Sequence, residues 1–337
     1  MKDISSFKNL PHYPVMLDEV LELCCPQKGG SFIDCTFGSG GFTNAILSFS
    51  GTKVISLDRD KQAITYARET KNNYKDRFSF FNKKFSEMDK VIEDKFKADF
   101  IIFDLGVSSM QIFNLDRGFS FNSKGSLDMR MGLNSISARD VLNKCDLKTL
   151  RNIFKYLGDE KDSSRIAKNI IIERKKSEIL SIPKLVEIIN KSKKKNFKKK
   201  INISTQAFQA IRIFVNKEIT ELINGLIKAT KFLKVGGKLI VISFHSLEDK
   251  IVKFYFINHS KNKSKGSRYY PEIKNEKILF ENYRNKVIKP KEKEIKENFS
   301  SRSAKLRYAI RSADEYFYSE DLKKQFSNYL NLENKYV

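Results

Sequence analysis

Residues 31–58 constrain the fold more than any other stretch of this chain. Ser31-Phe32-Ile33-Asp34-Cys35-Thr36-Phe37-Gly38-Ser39-Gly40-Gly41-Phe42 reads as a strand, a glycine turn and the start of a helix. Lys53-Val54-Ile55-Ser56-Leu57-Asp58 reads as a second strand closed by an acid. Glycines in such a turn bring the backbone close to something bulky, and the acid accepts hydrogen bonds from two ribose hydroxyls. Gly-x-Gly-Gly alone also fits an ordinary tight turn. The acid 17 residues after Gly41 favours a nucleoside site.

Position 43 is Thr, so the dinucleotide fingerprint Gly-x-Gly-x-x-Gly is not met. Asp34 stands ahead of the glycines, as acids do in S-adenosylmethionine sites. That ligand has a sulfonium and an amino-acid end, which suit a polar, partly acidic turn.

Three more segments extend the alternation. A helix is expected over 61–73, opened by Asp60, and a strand over 78–82. Ser86 is expected to cap a short helix, and 99–104, Asp-Phe-Ile-Ile-Phe-Asp, reads as a buried strand. Strands alternating with helices predict an α/β fold with a mostly parallel sheet, whose ligands lie beyond the carboxyl ends of the strands. The glycine turn, Asp58, the loop with Phe85, and Asp104 all fall at those ends.

The rhythm then breaks. Residues 107–215 carry no convincing strand and read as a helical insertion, with helices near 147–157, 162–176 and 182–194. Helix resumes over 204–233 with a break near Asn216. Gly236-Gly237 is expected to end it before a fifth strand, 238–243. Ser246-Leu247-Glu248-Asp249 resembles a capping box. A short strand near 285–289 and a last one over 305–312 follow. The expected organisation is a core of 1–106 and 216–312, an insertion of 107–215, and a tail, 313–337, that reads as helical and expendable.

Composition bounds the function. The net charge is +24, from 64 Lys+Arg against 40 Asp+Glu, which favours a polyanionic partner, with compositional bias toward Lys as the competing explanation. The run 191–200 holds seven lysines and reads as a solvated loop or a phosphate contact. Tryptophan is absent, so any base stacking uses Phe or Tyr. Four cysteines, two of them adjacent (Cys24 and Cys25) and none in a Cys-x-x-Cys pattern, and three scattered histidines indicate neither a disulfide framework nor a zinc site. No apolar run reaches the length of a membrane span, and the first residues lack a signal-peptide core, so a cytoplasmic protein is expected.

From Asp104 onward longer motifs accumulate. Asp104-Leu-Gly-Val-Ser-Ser-Met-Gln111 is followed by Arg117-Gly-Phe-Ser-Phe121 and Leu127-Asp-Met-Arg-Met131. Phe208-Gln-Ala-Ile-Arg-Ile213, Ser243-Phe-His-Ser-Leu-Glu-Asp249 and Arg302-Ser-Ala-Lys-Leu-Arg307 come later. In these motifs the chain resembles the bacterial 16S rRNA cytosine-N4 methyltransferase family (RsmH, also called MraW), from His12 to about Arg311. The resemblance implies a class I methyltransferase fold, Rossmann-like with a seven-stranded sheet. It implies S-adenosylmethionine as donor and a decoding-centre cytosine of the small ribosomal subunit as acceptor. It places cofactor contacts on Gly40, Gly41, Phe42, Asp58, Phe85, Asp104 and Gln111. Phe42 stands where members often have His, so a contact there is expected from the backbone.

The chemistry agrees. A cytosine N4 lone pair is conjugated into the ring, so an acceptor for the amino protons helps it attack. Asp104 is the candidate acceptor, with contact to the cofactor alone as the alternative. Carbon-5 methylation needs a cysteine nucleophile, and no cysteine lies between 36 and 144. Phe119 and Phe121 read as a stacking face or as core aromatics. Arg130, Arg212, Arg302, Lys305 and Arg307 are candidate RNA phosphate contacts, with ordinary salt bridges as the competing reading. His245 reads as structural, at a helix start. Two other functions remain open at this level: amino-methylation of DNA or protein, and a non-catalytic RNA-binding assembly factor. The oligomeric state is open, a homodimer included.

Overall fold

The computed structural model describes residues 14–193, 202–260, 277–281 and 283–335. Most of the lysine run 191–200, and His12, where the family resemblance begins, lie outside them. Two compact units emerge: Met1–Gly106 with Glu221–Gln325, and Val107–Thr220 with Phe326–Val337.

The first unit is built on a six-stranded sheet of order β3-β2-β1-β4-β5-β6. The strands are β1 Gly30–Asp34, β2 Thr52–Leu57, β3 Phe78–Phe81, β4 Ala98–Asp104, β5 Leu233–Ser243 and β6 Lys305–Ile310. All neighbours pair parallel except β5 with β6. Phe32, Val54, Phe78, Ile101, Ile102, Leu239 and Ile240 are buried along the strands, the near-continuous apolar content that a sheet covered on both faces requires. The chain runs outward from β1 to β3, returns to β4 and continues the other way. The crevice between the carboxyl ends of β1 and β4 is therefore the topological switch point.

Six strands are present among the described residues, where seven were expected. The stretch near 285–289 forms only an isolated bridge, Ile288 with Leu306. Pro290 follows two residues on and has no N–H to continue a ladder. Gly236-Gly237 does not end a helix as expected. β5 begins at Leu233, and the glycines sit inside it, where its pairing with β4 shifts register between Ala98 and Phe100. Gly236 takes φ 76° there, which a glycine adopts at no steric cost. Ser86 caps nothing; the short 3-10 turn Phe85–Lys90 follows Lys84 without a side-chain cap.

The second unit is helical. Helices Leu147–Asn152 (continued by a π-helical turn, Ile153–Leu157), Ser163–Lys176, Ile182–Ser192 and Thr205–Asn216 follow the expected pattern, and a further helix, Ala138–Lys144, precedes them. Lys217, at φ 48°, breaks helix Thr205–Asn216 from helix Glu218–Phe232, so the break near Asn216 is observed. Asn216 is fully buried. Its amide donates to the Met129 and Arg212 carbonyls, and its oxygen accepts from Met131 N–H and Asn134. It thereby fastens the loop 129–134 to the helix end.

The unit boundary at Thr220, rather than 215, lies within helix Glu218–Phe232. The tail is divided too. Helix Asp321–Gln325 belongs to the sheet unit and helix Ser327–Asn334 to the helical one. Glu333 is completely buried and accepts hydrogen bonds from the N–H groups of Ile219 (3.1 Å) and Thr220 (2.8 Å) and from the Thr220 hydroxyl (2.6 Å). Those N–H groups belong to a first helical turn, which has no intrahelical acceptor for them. The tail is thus an integral cap, not an expendable one.

Candidate active site

Asp34, Asp58 and Asp104 stand at the carboxyl ends of β1, β2 and β4. Each is held differently. Asp34 is fully buried and accepts from Thr43 Oγ1 (2.7 Å) and Thr36 N–H (3.1 Å). Burial pushes its carboxyl up to about 6. Asp58 accepts from Gly38 N–H through Oδ2 (2.7 Å) and from Asp60 N–H through Oδ1 (2.8 Å). Burial raises it to about 6, with the Asp60 and Asp34 charges adding to the effect. The acid therefore ties the glycine turn to the end of β2. Each of its oxygens retains a lone-pair direction for a further donor.

Asp104 has the least compensation. Its backbone N–H donates to Thr36 Oγ1 (2.8 Å), but its Oδ1 is buried with no hydrogen-bond partner among the described residues. Burial, then the charges of Asp34, Glu248 and Glu294, raise its carboxyl well above the usual range. A buried polar atom without a partner is uncommon and points to a ligand. Four carboxylates close together are also a poor place for a pyrophosphate and a good one for a cation.

The glycines divide by role. A Cβ at Gly40 (φ 85°) would stand 2.7 Å from Asn44 Nδ2 and 2.9 Å from the Phe37 ring. One at Gly41 would stand 2.8 Å from Pro14. Internal packing thus accounts for both, and their surfaces toward a ligand are backbone. Gly38 (φ 57°) has nothing within 4 Å of its Cβ position, so a ligand has room there. The Phe42 side chain is only 3% exposed, in the core. Phe85 is half-buried, edge-on to Phe103 at 5.2 Å between centroids.

His245 is a helix cap. Its Nδ1 accepts from Glu248 N–H, and its Nε2 lies 3.1 Å from Glu248 Oε1. The capping box is therefore His245 with Glu248, one residue earlier than Ser246 with Asp249. Glu248 Oε2 accepts from the Phe244 and His245 N–H groups. Glu248 was legible only as a capping residue, and Glu294, in a basic irregular segment, gave no signal at all.

Of the candidate phosphate contacts in this unit, Arg302 is exposed, and Lys305 is partly exposed and 3.2 Å from Asp249. Arg307 is only 5% exposed, bonded to Asp249 (2.6 Å), the Tyr283 hydroxyl and Asn285. Its guanidinium is spent inside the fold.

In the helical unit, the Gln111 oxygen accepts from Ser108 N–H in the capping box of helix Ser109–Phe113. Arg130 pairs with Asp128 through two nitrogens (2.7 and 2.8 Å). Arg212 does the same with Glu218 (2.8 and 2.9 Å). Phe119 and Phe121 are half-buried; Phe121 meets Phe208 edge-on, and the Arg117 guanidinium lies over Phe119.

Residues 9–312 match the model of the MraW methylase family. The chain is 44% identical over 302 residues to ribosomal RNA small subunit methyltransferase H of Rickettsia bellii, covering 89% of this chain and 98% of that protein. The protein of the same description from Rickettsia rickettsii is 43% identical over 304 residues, covering 88% and 97%. A solved structure of an rRNA methylase from Streptococcus thermophilus is similar at 9% identity and a TM-score of 0.38, covering 87% and 96%.

Proposed function

This chain belongs to the MraW methylase family, and from that premise we propose that it methylates the exocyclic N4 amine of a cytosine in small-subunit ribosomal RNA, using S-adenosylmethionine. The carrying observation is the unpartnered, buried Asp104 Oδ1 at the switch point, within a cluster of carboxylates. When bound, S-adenosylmethionine supplies an electrophilic methyl group on a positively charged sulfur.

The residues present fit that donor. Asp58 is placed to accept from the ribose hydroxyls, Gly38 leaves room, and the backbone of Gly40, Gly41 and Phe42 lines the turn. Phe85, Asp104 and Gln111 complete the cofactor set that the family motifs assign. Positive charge entering the cluster of Asp34, Asp58 and Asp104 lowers the cost of ionising all three. An ionised Asp104 then accepts a hydrogen bond from the N4 amino group and draws its lone pair out of conjugation. As the new N–C bond forms, the nitrogen must lose a proton, and a carboxyl raised so far above its usual range is a competent acceptor. The target base must leave its stack to reach this edge of the sheet. Of the candidate phosphate contacts, Arg130, Arg302 and Lys305 retain the solvent access that role requires, whereas Arg212 and Arg307 are largely enclosed beside Glu218 and Asp249.

The test is methyl transfer from labelled cofactor to small ribosomal subunits, with the modified nucleotide located by mass. N4-methylcytidine in small-subunit rRNA is the expected product, and label in DNA or protein alone would refute the assignment. Asp104→Asn should reduce kcat by at least about 100-fold, the usual scale for a general base, while cofactor still binds. A near-normal kcat would remove Asp104 from the chemistry.

A further inference from the structure

Nothing in the reaction above uses Phe299, in the basic segment between residues 284 and 304. That segment enters β6 at the reactive edge of the sheet. The register fixes this: Asp104 lies opposite Ile242, Ile242 opposite Leu306, and Ser243 opposite Lys305. Two strand spacings, about 10 Å, separate Asp104 from Leu306. Glu294, in helix Glu292–Glu297, is near enough for its charge to act on Asp104. Arg284, Lys286, Lys289, Lys293, Lys296 and Arg302 are all exposed along the segment, against exposed Glu292 and Glu297.

Within it, the 3-10 turn Phe299–Ser303 presents Phe299 at 70% exposure, with the Arg302 guanidinium 4.7 Å from the ring centroid. The turn is firmly held. Ser301 is fully buried and its hydroxyl donates to the Asn298 carbonyl at 2.7 Å. Ile288 and Leu306 exchange both backbone hydrogen bonds at 2.9 Å. A solvent-facing aromatic ring beside a guanidinium, on a held turn of a basic segment that runs into β6 two strand spacings from Asp104, has the parts of a base-stacking platform. Bases stack on such rings whatever their identity, and the cations track the phosphates.

We infer that Phe299, with Arg302, is a stacking platform for an unpaired base of the RNA substrate, on a nucleotide neighbouring the acceptor cytosine. The inference rests on the RNA reading of the site. Phe299 acts in substrate binding and leaves the chemistry to the carboxylate cluster.

The chain has no tryptophan, so Phe299→Trp installs a single indole reporter in the full-length protein. A single-stranded oligoribonucleotide spanning the acceptor cytosine is expected to quench it saturably, and the same sequence as a duplex is not. In methyl transfer to small-subunit rRNA, Phe299→Ala should raise the RNA KM about 5- to 150-fold, the range for losing one stacked base. Cofactor affinity should not change. Phe299→Tyr should restore the RNA KM and Phe299→Leu should not. A wild-type KM in Phe299→Ala, or full function in Phe299→Leu, would overturn the platform, as would a Phe299→Trp indole that the single strand leaves unquenched. If wild-type protein moved no methyl group to rRNA, the rRNA assignment would fail separately, and the quenching titration would still decide the platform.

Discussion

At the scale of single residues, burial turns ordinary aspartates into a charge-sensitive site. Burial raises the carboxyls of Asp34 and Asp58 each to about 6, and burial, then the charges of Asp34, Glu248 and Glu294, raise that of Asp104 well above its usual range. A raised folded-state value means that the folded chain holds protons the unfolded chain has released. Without ligand, stability should therefore fall as pH rises from about 4 to 6. Denaturant melts at pH 4.5 and 6.5 measure this, and a rise in stability over that window would contradict it. A cationic ligand works in the opposite direction. The affinity ratio of S-adenosylmethionine to S-adenosylhomocysteine, which lacks the sulfonium charge, should increase between pH 5 and 7; calorimetric titration reads it directly. The glycines offer a second contrast. Gly38→Ala adds a Cβ in open space but at φ 57°, so it should cost about 1–2 kcal/mol and mainly weaken cofactor binding. Gly40→Ala also drives a Cβ into Asn44 and Phe37 and should cost more stability. Asp58 and Asp104 were legible because a strand ended in each. Gly38 was legible, with Gly40 and Gly41, as a glycine of the turn, but the open space at its Cβ position was not, because no local pattern records it.

At the scale of elements, the helix ends carry the less obvious information. Glu333 caps helix Glu218–Phe232 from more than a hundred residues away, and burial pushes its carboxyl up to about 8. Glu333→Ala leaves first-turn N–H groups buried without acceptors and should lower the stability of the helical unit by roughly 1–3 kcal/mol. Because its folded value is raised, Glu333 adds to the loss of stability as pH climbs from about 4.5 to 8. In Glu333→Gln that part of the pH dependence should disappear, as urea melts across the range would show. The tail reads as expendable because an acid near a chain end looks like any solvated acid; its partner is visible only in three dimensions. His245 shows the milder form of the same problem. A helix start was legible in Ser243–Asp249, but the side chain that caps it depends on φ at residue 245. The helix break at Lys217 was legible from the pattern itself.

At the scale of the molecule, charge and sheet order work together. With a net charge of +24, binding to rRNA should fall steeply with salt, by about 0.7 log units per contacted phosphate for each log unit of salt. Replacing Lys289, Lys293 and Lys296 with glutamine should flatten that slope without altering cofactor affinity. An unchanged slope would return these lysines to simple solubility. Among the described residues no helix is long and apolar enough to cross a membrane.

By itself the sequence determined the alternation of strands and helices, the acids that close β2 and β4, and the helical interruption after Gly106. Each of those follows from a local period or a strand end, so a single pass along the chain can find it. Only the tertiary structure decided that Asp58 also ties Gly38, that the charges of Glu248 and Glu294 act on Asp104, and that Arg307 is spent on Asp249. It also decided that β6, running antiparallel, delivers the Phe299 turn to the edge where β4 ends. These relations join residues far apart in the chain. They are set by strand order, register and close packing, none of which leaves a periodic trace in sequence.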